Sequence, residues 1–404
     1  MQVGHLTNIQ RDNIKYLLQT HTQIKHFKTL PDDFAKGIGK GQVIENVLNS
    51  VDEGKIDFEE FKSWLALHQI NGNNSFYVYE LRTHTVTEGM LRNLQTYIGS
   101  ITYDITGCSV DNLKETVLVN FFLNVEEKRG IFTFLSPATV MKKVRMDNTV
   151  QYIPEKQIYY ANVIVDYGLG WLIVSINPTT NMISVDNNEK NKNGFEPIAN
   201  YYLVKMRDII GEFTIKTPNW VPQALDLLAE EGTHHNNPEI TAEYMKAIPC
   251  IEDTVVQLLS DFELDDPSAL AYVSEEFKLA FESVLIDKYG VNEEATCSFR
   301  VFELKGDQHN SVVYVGAKVG SLNEGRVAKV AKATRANADL TQLGIEYNRE
   351  NDTYRFYISL CDDYYLIKSN STKFTNEGVI RDVIIKLGEY KEQIQSIAIG
   401  KSTD

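Results

Sequence analysis

The most apolar stretch of the chain reads Ile158-Tyr-Tyr-Ala-Asn-Val-Ile-Val-Asp166, Tyr167-Gly-Leu-Gly170 and Trp171-Leu-Ile-Val-Ser-Ile-Asn-Pro178. Two runs rich in Val, Ile, Tyr and Trp flank a four-residue segment with two glycines. Glycine suits a tight reversal because it adopts positive φ without a Cβ clash. Each run has the length and composition of a strand. The stretch therefore predicts a buried antiparallel hairpin, to which Met182-Ile-Ser-Val185 adds a third strand.

The patterns on either side of this hairpin predict a multidomain α+β fold. Strand-like runs follow one another more often than they alternate with helices, which favours antiparallel pairing. Helical spacing dominates the first 72 residues and returns after residue 217. We predict four parts: a small helical domain at 1–72, an antiparallel-sheet α+β domain at 73–217, an acidic helical connector at 218–292, and a second α+β domain at 293–404.

The composition favours a folded protein of the cytoplasm. The chain has 404 residues, 43% apolar and 24% charged, a balance typical of globular proteins. No run approaches the roughly 20 apolar residues that span a bilayer, and the first residues lack a secretory signal pattern. The four cysteines follow no zinc or disulfide spacing, so we expect free thiols in a reducing compartment: Cys108, Cys250, Cys297 and Cys361.

Nearly all of the net charge of −15 lies in one segment. Residues 220–300 carry 17 acidic and 4 basic side chains, whereas 1–70, 71–219 and 301–404 are each within one charge of neutrality. Such a segment repels nucleic acid and anionic membranes and attracts a cationic partner. The alternative is a solvated helical surface that keeps the chain soluble.

Four helices are predicted inside the acidic segment, at 222–231, 240–247, 251–262 and 267–289. Pro267 suits the first turn of the last helix, where its missing N–H removes no hydrogen bond. Apolar residues at three- and four-residue steps predict one apolar face on this helix: Leu270, Val273, Phe277, Phe281, Val284 and Leu285.

One twelve-residue stretch resembles an EF-hand calcium loop between two predicted helices. It reads Asn49-Ser-Val-Asp-Glu-Gly-Lys-Ile-Asp-Phe-Glu-Glu60, with Asn49, Glu53, Asp57 and Glu60 at ligand positions. Calcium needs six to eight oxygen ligands, but Val51 occupies the third position and the chain shows no second hand. We therefore predict a helix–turn–helix without a metal.

Two basic stretches are candidates for contacts with nucleic-acid phosphates. Lys36 and Lys40 adjoin the glycines of Gly37-Ile-Gly-Lys-Gly41, just before a predicted helix, where exposed N–H groups attract anions. The spacing is not that of a nucleotide-binding loop. A predicted helix at 324–337 is the only basic helix, and Lys318 precedes it; its cations are Arg326, Lys329, Lys332 and Arg335. Docking on the acidic segment of the same or another copy is the alternative use of this helix.

The triplet Glu303-Leu-Lys305 ends a predicted strand that begins near Thr296. It resembles the Glu-x-Lys of restriction-type nucleases, in which the acid holds Mg²⁺ and the lysine steadies an attacking hydroxide. That chemistry also needs a second acid on a neighbouring strand, and the nearest upstream acid, Asp287, lies on a predicted helix. Glu303 and Lys305 are therefore the only catalytic candidates.

No other pattern assembles an active site. One loop collects Glu230, Glu231, His234, His235 and Glu239, but adjacent histidines point in different directions and make poor joint metal ligands. The chain lacks the G-x-S-x-G and H-E-x-x-H motifs, and it has no G-x-G-x-x-G after a strand. We expect no cofactor.

These observations favour a non-enzymatic interaction or scaffold subunit of a multiprotein assembly, for example in bacterial antiphage (antiviral) defence or genome maintenance. We expect a cytoplasmic chain that binds a protein partner or itself and no membrane. The first alternative is a nucleic-acid-binding subunit that uses Lys36, Lys40 and the basic helix. The second alternative is a Mg²⁺-dependent nuclease centred on Glu303 and Lys305.

Overall fold

The computed structural model describes residues 6–30, 37–82, 85–146, 149–192, 194–264, 266–291, 298–308, 311–317, 321–323, 325–350, 352–370 and 374–401. The chain divides into two compact units. The first comprises Met1–Pro218, Asp362–Leu366 and Thr372–Ile380; the second comprises Asn219–Cys361, Ile367–Ser371 and Arg381–Asp404. Helices and antiparallel strands make up the chain, so the predicted multidomain α+β fold is confirmed. The division into four domains stays a prediction.

The described strands of the first unit pair antiparallel: β1 (Ser75–Leu81), β2 (Val117–Asn124), β3 (Arg129–Met146), β4 (Thr149–Asp166), β5 (Trp171–Ile176), β6 (Met182–Val185), β7 (Asn188–Glu189) and β8 (Ile215–Lys216). Their order is β1-β5-β4-β3-β6-β7, while β2 also pairs with β3 and β8 pairs with β1. The predicted antiparallel pairing is therefore present in this sheet.

The predicted hairpin lies in the middle of this sheet. β4 and β5 pair through to Asp166 opposite Trp171, and Gly170 in the turn has a φ of 75°, where a Cβ would be strained. Every residue of β5 is buried, and Trp171 is among the largest fully buried side chains. Because β5 already pairs with β1 and β4, the predicted third strand at Met182–Val185 pairs with β3 instead.

β3 and β4 are much longer than the sequence predicts. The apolar runs predict strands at 130–135 and 158–166, yet the pairing continues from Arg129 opposite Asp166 to Met146 opposite Thr149. The extension mixes Lys, Arg, Glu and Gln with apolar residues and so lacks the continuous apolar run of a buried strand. The structure accounts for this composition, because the β4 side chains from 149 to 154 are exposed.

The helices described in the first unit are α1 (Asn8–His21), α2 (Ile24–Phe27), α3 (Lys40–Asp52), α4 (Phe58–Leu67), α5 (Glu88–Tyr97) and α6 (Glu196–Ile210). Thr7 caps the first helix through a capping box with Gln10. The apolar faces of α1, α3 and α4 share one buried core with residues of β2, β3 and β4. Burial of these faces is what stabilises the short helices.

The second unit has its own helices and strands: α7 (Val221–Thr233), α8 (Pro238–Asp261), α9 (Pro267–Tyr289), α10 (Gly325–Asn337), β9 (Phe299–Gln308), β10 (Ser311–Gly316), β11 (Asp339–Arg349) and β12 (Asp352–Leu360). The strands pair antiparallel in the order β10-β9-β11-β12. Two further elements, β13 (Tyr365–Ser369) and α11 (Glu377–Lys401), contain residues of both units.

α8 is one continuous helix that contains Pro249, although the sequence predicts two helices, at 240–247 and 251–262. Proline inside a helix removes a hydrogen bond and costs about 3 kcal/mol. The packing of α9 supports α8 on both sides of the proline. Before it, Ile240 shares a buried cluster with Leu285; after it, Glu252 pairs with Lys278 at 3.0 Å.

Gly232 lets α7 approach β9 closely. A Cβ at this position would lie 2.7 Å from Val301 Cγ2, which is closer than Cβ atoms approach other heavy atoms in folded proteins. We expect Gly232→Ala to lower the free energy of unfolding by about 1–2 kcal/mol, because the overpacking outweighs the gain in helix propensity. Gly388→Ala in α11 is the control, since its Cβ would meet nothing within 4 Å; it should raise stability by up to about 1 kcal/mol. Urea denaturation measures the free energy of unfolding of both variants. A change of the same sign in Gly232→Ala and Gly388→Ala would contradict the close packing at Gly232.

Candidate interaction surface

α8 and α9 form a helical hairpin in the second unit. Each helix begins with a capping side chain and a proline in the first turn. The Asn237 side chain accepts a hydrogen bond from the N–H of Glu239, and the Asp266 carboxylate accepts bonds from Ser268 and Ala269. These caps satisfy N–H groups that have no partner within a helix. Both helices of the hairpin therefore have well-defined starts, at Pro238 and at Pro267.

The apolar face that the sequence predicts on α9 is only partly covered. Leu285 is buried in a cluster with Ile240 of α8 and Ala328 of α10. By contrast, the side chains of Phe277 and Val284 are 43% and 59% exposed. With Leu270 and Val273 these two residues follow heptad spacing, the pattern that a second helix covers in a coiled coil.

Further large apolar side chains are exposed along the hairpin and in the connection between its helices. The largest fraction is that of Phe262, at 69%. The others are Met245, Val256, Leu258, Leu264 and Tyr272. A groove of about 470 Å³ also lies between the helices, with Val255, Val256 and Leu270 among its lining residues. Exposed apolar side chains are ordinary when single, but a concentration on one element is typical of an interaction site.

The hairpin is also strongly acidic. Residues 238–291 contain twelve Asp or Glu and three Lys or Arg. Lys278 contacts Glu252 and Glu275, and Lys246 contacts Glu243, so two of the three cations are held by carboxylates of the hairpin itself. The remaining carboxylates give the surface a negative field that attracts a cationic partner.

The basic helix α10 directs its described cations at carboxylates of the same unit. Lys329 Nζ lies 3.2 Å from Glu276 Oε2, and Lys332 contacts Glu282. Arg335 Nε donates to an oxygen of Asp226 at 2.8 Å, and its Nη2 lies 3.5 Å from Glu230. These contacts join α10 to α9 and α7. The side chain of Arg326, like residues Lys36 and Lys318, lies outside the part of the chain that the structure describes.

The two loop histidines lie beside this ion-pair network. The His234 ring stacks on His235 with 4.6 Å between ring centroids. His235 Nε2 lies 3.6 Å from an oxygen of Glu282, which therefore contacts both His235 and Lys332. Burial lowers the pKa of His235, and the neighbouring His234 and Lys332 lower it further, while Glu282 acts in the opposite direction.

Lys40 lies in the first turn of α3 and is held by the first unit. Its Nζ donates to the carbonyl of Gln19 at 2.6 Å, and burial lowers its pKa. Gly39 before it has a φ of 100° and serves as the helix N-cap without a side-chain bond. The phosphate contact predicted for Lys40 stays a prediction.

The EF-hand-like residues act as caps and ion-pair partners in the structure. Asp57 caps α4 by accepting bonds from the N–H groups of Glu59 and Glu60. The side-chain oxygen of Asn49 accepts from Arg11 at 2.8 Å, and Glu53 pairs with Lys55. Throughout the described part of the chain, no three His, Cys, Asp or Glu side chains form a group suited to a metal ion.

Glu303 is buried on β9 and is surrounded by neutral donors. Its carboxylate accepts hydrogen bonds from Tyr314 at 3.0 Å, from Tyr357 at 3.0 Å and from the Gln342 amide at 3.1 Å. Burial, together with the hydrogen bond to this carboxylate, raises the pKa of Tyr357 to about 12. The residues directly opposite Glu303 on the adjacent strands are Gly316 and Gly344, so neither of these two positions supplies the second acid that the nuclease chemistry needs.

Lys305 follows two residues later and shares that face of the sheet, because side chains alternate along a strand. The residues opposite Lys305 are Tyr314 on β10 and Gln342 on β11. Both of these side chains donate a hydrogen bond to Glu303. The arrangement is a hydrogen-bonded carboxylate beside a lysine.

The comparisons with known proteins do not assign the chain to a family. No protein-family model matches it, and no curated protein shows significant similarity to it. Its described helices include none with the length and apolarity of a membrane span.

Proposed function

We propose that the chain is a non-enzymatic interaction subunit that binds a basic protein partner through the α8–α9 hairpin. The observation that carries this proposal is the coincidence of exposed heptad-spaced apolar side chains with a strong excess of carboxylates. The apolar face of α9 supplies surface that a partner can bury, and such burial is the main source of binding free energy. The acidic surroundings select a cationic partner and speed its association.

The partner chemistry that fits this surface is an amphipathic helix with basic residues beside its apolar face. A helix laid along α9 would bury Phe277 and Val284 in the manner of a coiled-coil seam. Its Lys and Arg side chains would face the acidic residues of the hairpin. A second copy of the hairpin fits less well, since two surfaces of the same charge repel each other.

Peptide binding by the intact chain tests this proposal. The probe is a fluorescent Leu/Lys helix of about 18 residues, about 27 Å long, with Leu at the heptad a and d positions. We expect saturable binding in fluorescence anisotropy, weakened at least tenfold by the double variant Phe277→Asp and Val284→Asp. Each substitution removes apolar contact and adds a charge that must be desolvated in the interface.

Two controls make the peptide result specific. A peptide of the same composition in scrambled order keeps the charge but loses the apolar stripe, and it should bind at least tenfold more weakly. Ile38→Asp adds the same charge at a 97% exposed position of the first unit and should leave binding unchanged. Equal binding of both peptides, or an equal loss in Ile38→Asp, would show that the heptad stripe is not a recognition site.

The two alternative functions remain proposals with their own experimental signatures. Cleavage of DNA or RNA that requires Mg²⁺ and is lost in Glu303→Ala would support the nuclease hypothesis. Salt-sensitive retention of nucleic acid that is lost on reversing Lys329 and Lys332 would support binding by α10. Contacts in the structure weigh against both alternatives. The Glu303 carboxylate already accepts hydrogen bonds from two tyrosines, and the two α10 lysines are already paired with carboxylates.

A further inference from the structure

A two-stranded ribbon extends the sheet of the first unit. It consists of residues 139–145 of β3 and 150–157 of β4, paired in register along their length. β6 pairs with β3 only at residues 138–140, and Asn181 exchanges hydrogen bonds with Met141. Beyond Met141, the described ladder joins β3 and β4 alone. Two strands alone are marginally stable in water, so the continuity with the sheet is what holds the ribbon in shape.

The register divides the ribbon into two faces of different character. Residues directly opposite each other point to the same side, and side chains alternate along each strand. Lys143 lies opposite Tyr152, and Arg145 lies opposite Val150. Lys156 belongs to the same face. We call the side that carries these five residues the basic face, since it has no acidic residue.

The cations of the basic face are exposed and have no ion-pair partner among the described residues. The opposite face differs in this respect, because Lys142 Nζ lies 2.5 Å from a carboxylate oxygen of Glu155. Tyr152 and Val150 are also exposed, between the cations. The structure thus holds three positive charges and an aromatic ring on a narrow surface without a carboxylate to neutralise them.

We propose that the basic face of the ribbon binds double-stranded DNA. A two-stranded ribbon fits the major groove of B-DNA, which is about 12 Å wide. Lysine and arginine on such a ribbon contact phosphates, and these contacts give affinity without sequence preference. The net charge of −15 does not come from this part of the chain, because residues 71–219, which contain the ribbon, carry 14 basic and 15 acidic side chains. This binding is independent of the protein partner proposed for the hairpin.

Fluorescence anisotropy with the full chain and a labelled DNA duplex of mixed sequence, about 24 base pairs long, tests the assignment. We expect binding at low salt that weakens steeply as salt rises, since three released counterions give a log–log slope of about −2.7. The triple variant Lys143→Ala, Arg145→Ala, Lys156→Ala should bind at least tenfold more weakly, with a slope near zero. These positions are exposed, so the circular dichroism melting curve should not change.

Lys142→Ala is the matched control, since it removes a ribbon cation from the opposite face and should change duplex affinity less than twofold. Absence of duplex binding at low salt would overturn the proposal. So would an equal loss of affinity in Lys142→Ala and the triple variant. An acidic protein surface is the competing ligand. Self-association in sedimentation equilibrium that the triple variant abolishes, without duplex binding, would assign the face to protein contact instead.

Discussion

Lowering the pH from 7.5 to 4.5 will destabilise the first unit, because three of its histidines are held in the neutral form. Burial lowers the pKa of His21 to about 4 and, with the Lys40 charge, keeps the proton away from it. The pKa of His68 lies well below its usual value and that of His26 is also lowered, in both cases mainly by burial. His68 and His26 lie 5.1 Å apart between ring centroids, so protonating one opposes protonating the other.

Hydrogen bonds fix the neutral forms of two of these rings. His26 Nδ1 accepts from the N–H of Gln23 at 2.8 Å, so Nε2 carries the proton and donates to the Asn71 carbonyl at 2.9 Å. His68 Nδ1 lies 2.8 Å from the Leu65 carbonyl and donates to it. His21 differs, because its Nε2 is buried without a partner among the described atoms.

The direction of the pH effect follows from the difference between the histidine pKa values in the folded and in the unfolded state. The unfolded histidines titrate near pH 6.5, whereas the folded ones titrate lower, so stability is complete above about pH 6.5. As the pH falls from 6.5 towards 4, the unfolded state binds more protons than the folded state does, so the free energy of unfolding decreases. At pH 4.5 His21 alone costs roughly 2 kcal/mol after allowance for its partial exposure, and the other two histidines add to this.

Urea denaturation at pH 7.5 and pH 4.5, followed by tryptophan fluorescence, measures the loss. Trp64 stacks on His68 at 5.0 Å and so reports on this region. His21→Phe should reduce the pH dependence, since the ring keeps its contacts with Tyr16 and Tyr160 but cannot titrate. Equal stability at the two pH values would show that the buried histidines are protonated without cost.

Glu282→Ala should destabilise the second unit by about 2–3 kcal/mol. The Glu282 side chain is 10% exposed and contacts Lys332, and it lies 3.6 Å from His235 Nε2. Removing the carboxylate leaves the Lys332 ammonium without its counter-charge and takes away the carboxylate beside the buried His235 ring, which costs more than losing an exposed pair. Lys332 is partly exposed, so the expected loss is below that for a fully buried pair.

The matched control for this variant is Glu275→Ala on the same helix. Glu275 is 67% exposed and contacts Lys278, and exposed pairs contribute less than about 1 kcal/mol. Urea denaturation of Glu282→Ala, Lys332→Ala and the double variant gives the coupling energy between the two residues. Additive losses, with no coupling, would mean that this ion pair does not hold α9 to α10.

The sequence predicts the fold best where hydrophobicity alone decides the structure. The hairpin around Tyr167–Gly170 and the apolar face of α9 are both visible as periodic patterns. The ribbon part of β3 and β4 is missed, because an exposed strand pair carries no apolar run. The break predicted at Pro249 is wrong for another reason, since neighbouring packing outweighs a local propensity.

The interaction surface is harder to predict than the fold. Spacing identifies the apolar residues of α9 but cannot say that Phe277 stays exposed while Leu285 is buried, because this depends on where α8 and α10 pack. The charge of the basic helix is equally visible in sequence, yet its ion pairs with Glu276 and Asp226 bring together residues about 50 to 110 positions apart. For the ribbon, the alternation that separates Lys143 from Lys142 becomes informative only once strand pairing is known.

Hydrogen–deuterium exchange of the full chain, with and without the Leu/Lys helical peptide, shows directly which residues the peptide covers. We expect slower exchange confined to α8, α9 and their connection, residues 238–289, and no such change in the Phe277→Asp, Val284→Asp variant. Protection elsewhere in the chain with no change in 238–289, or the same protection in the variant, would contradict the assignment of the hairpin as the partner-binding surface.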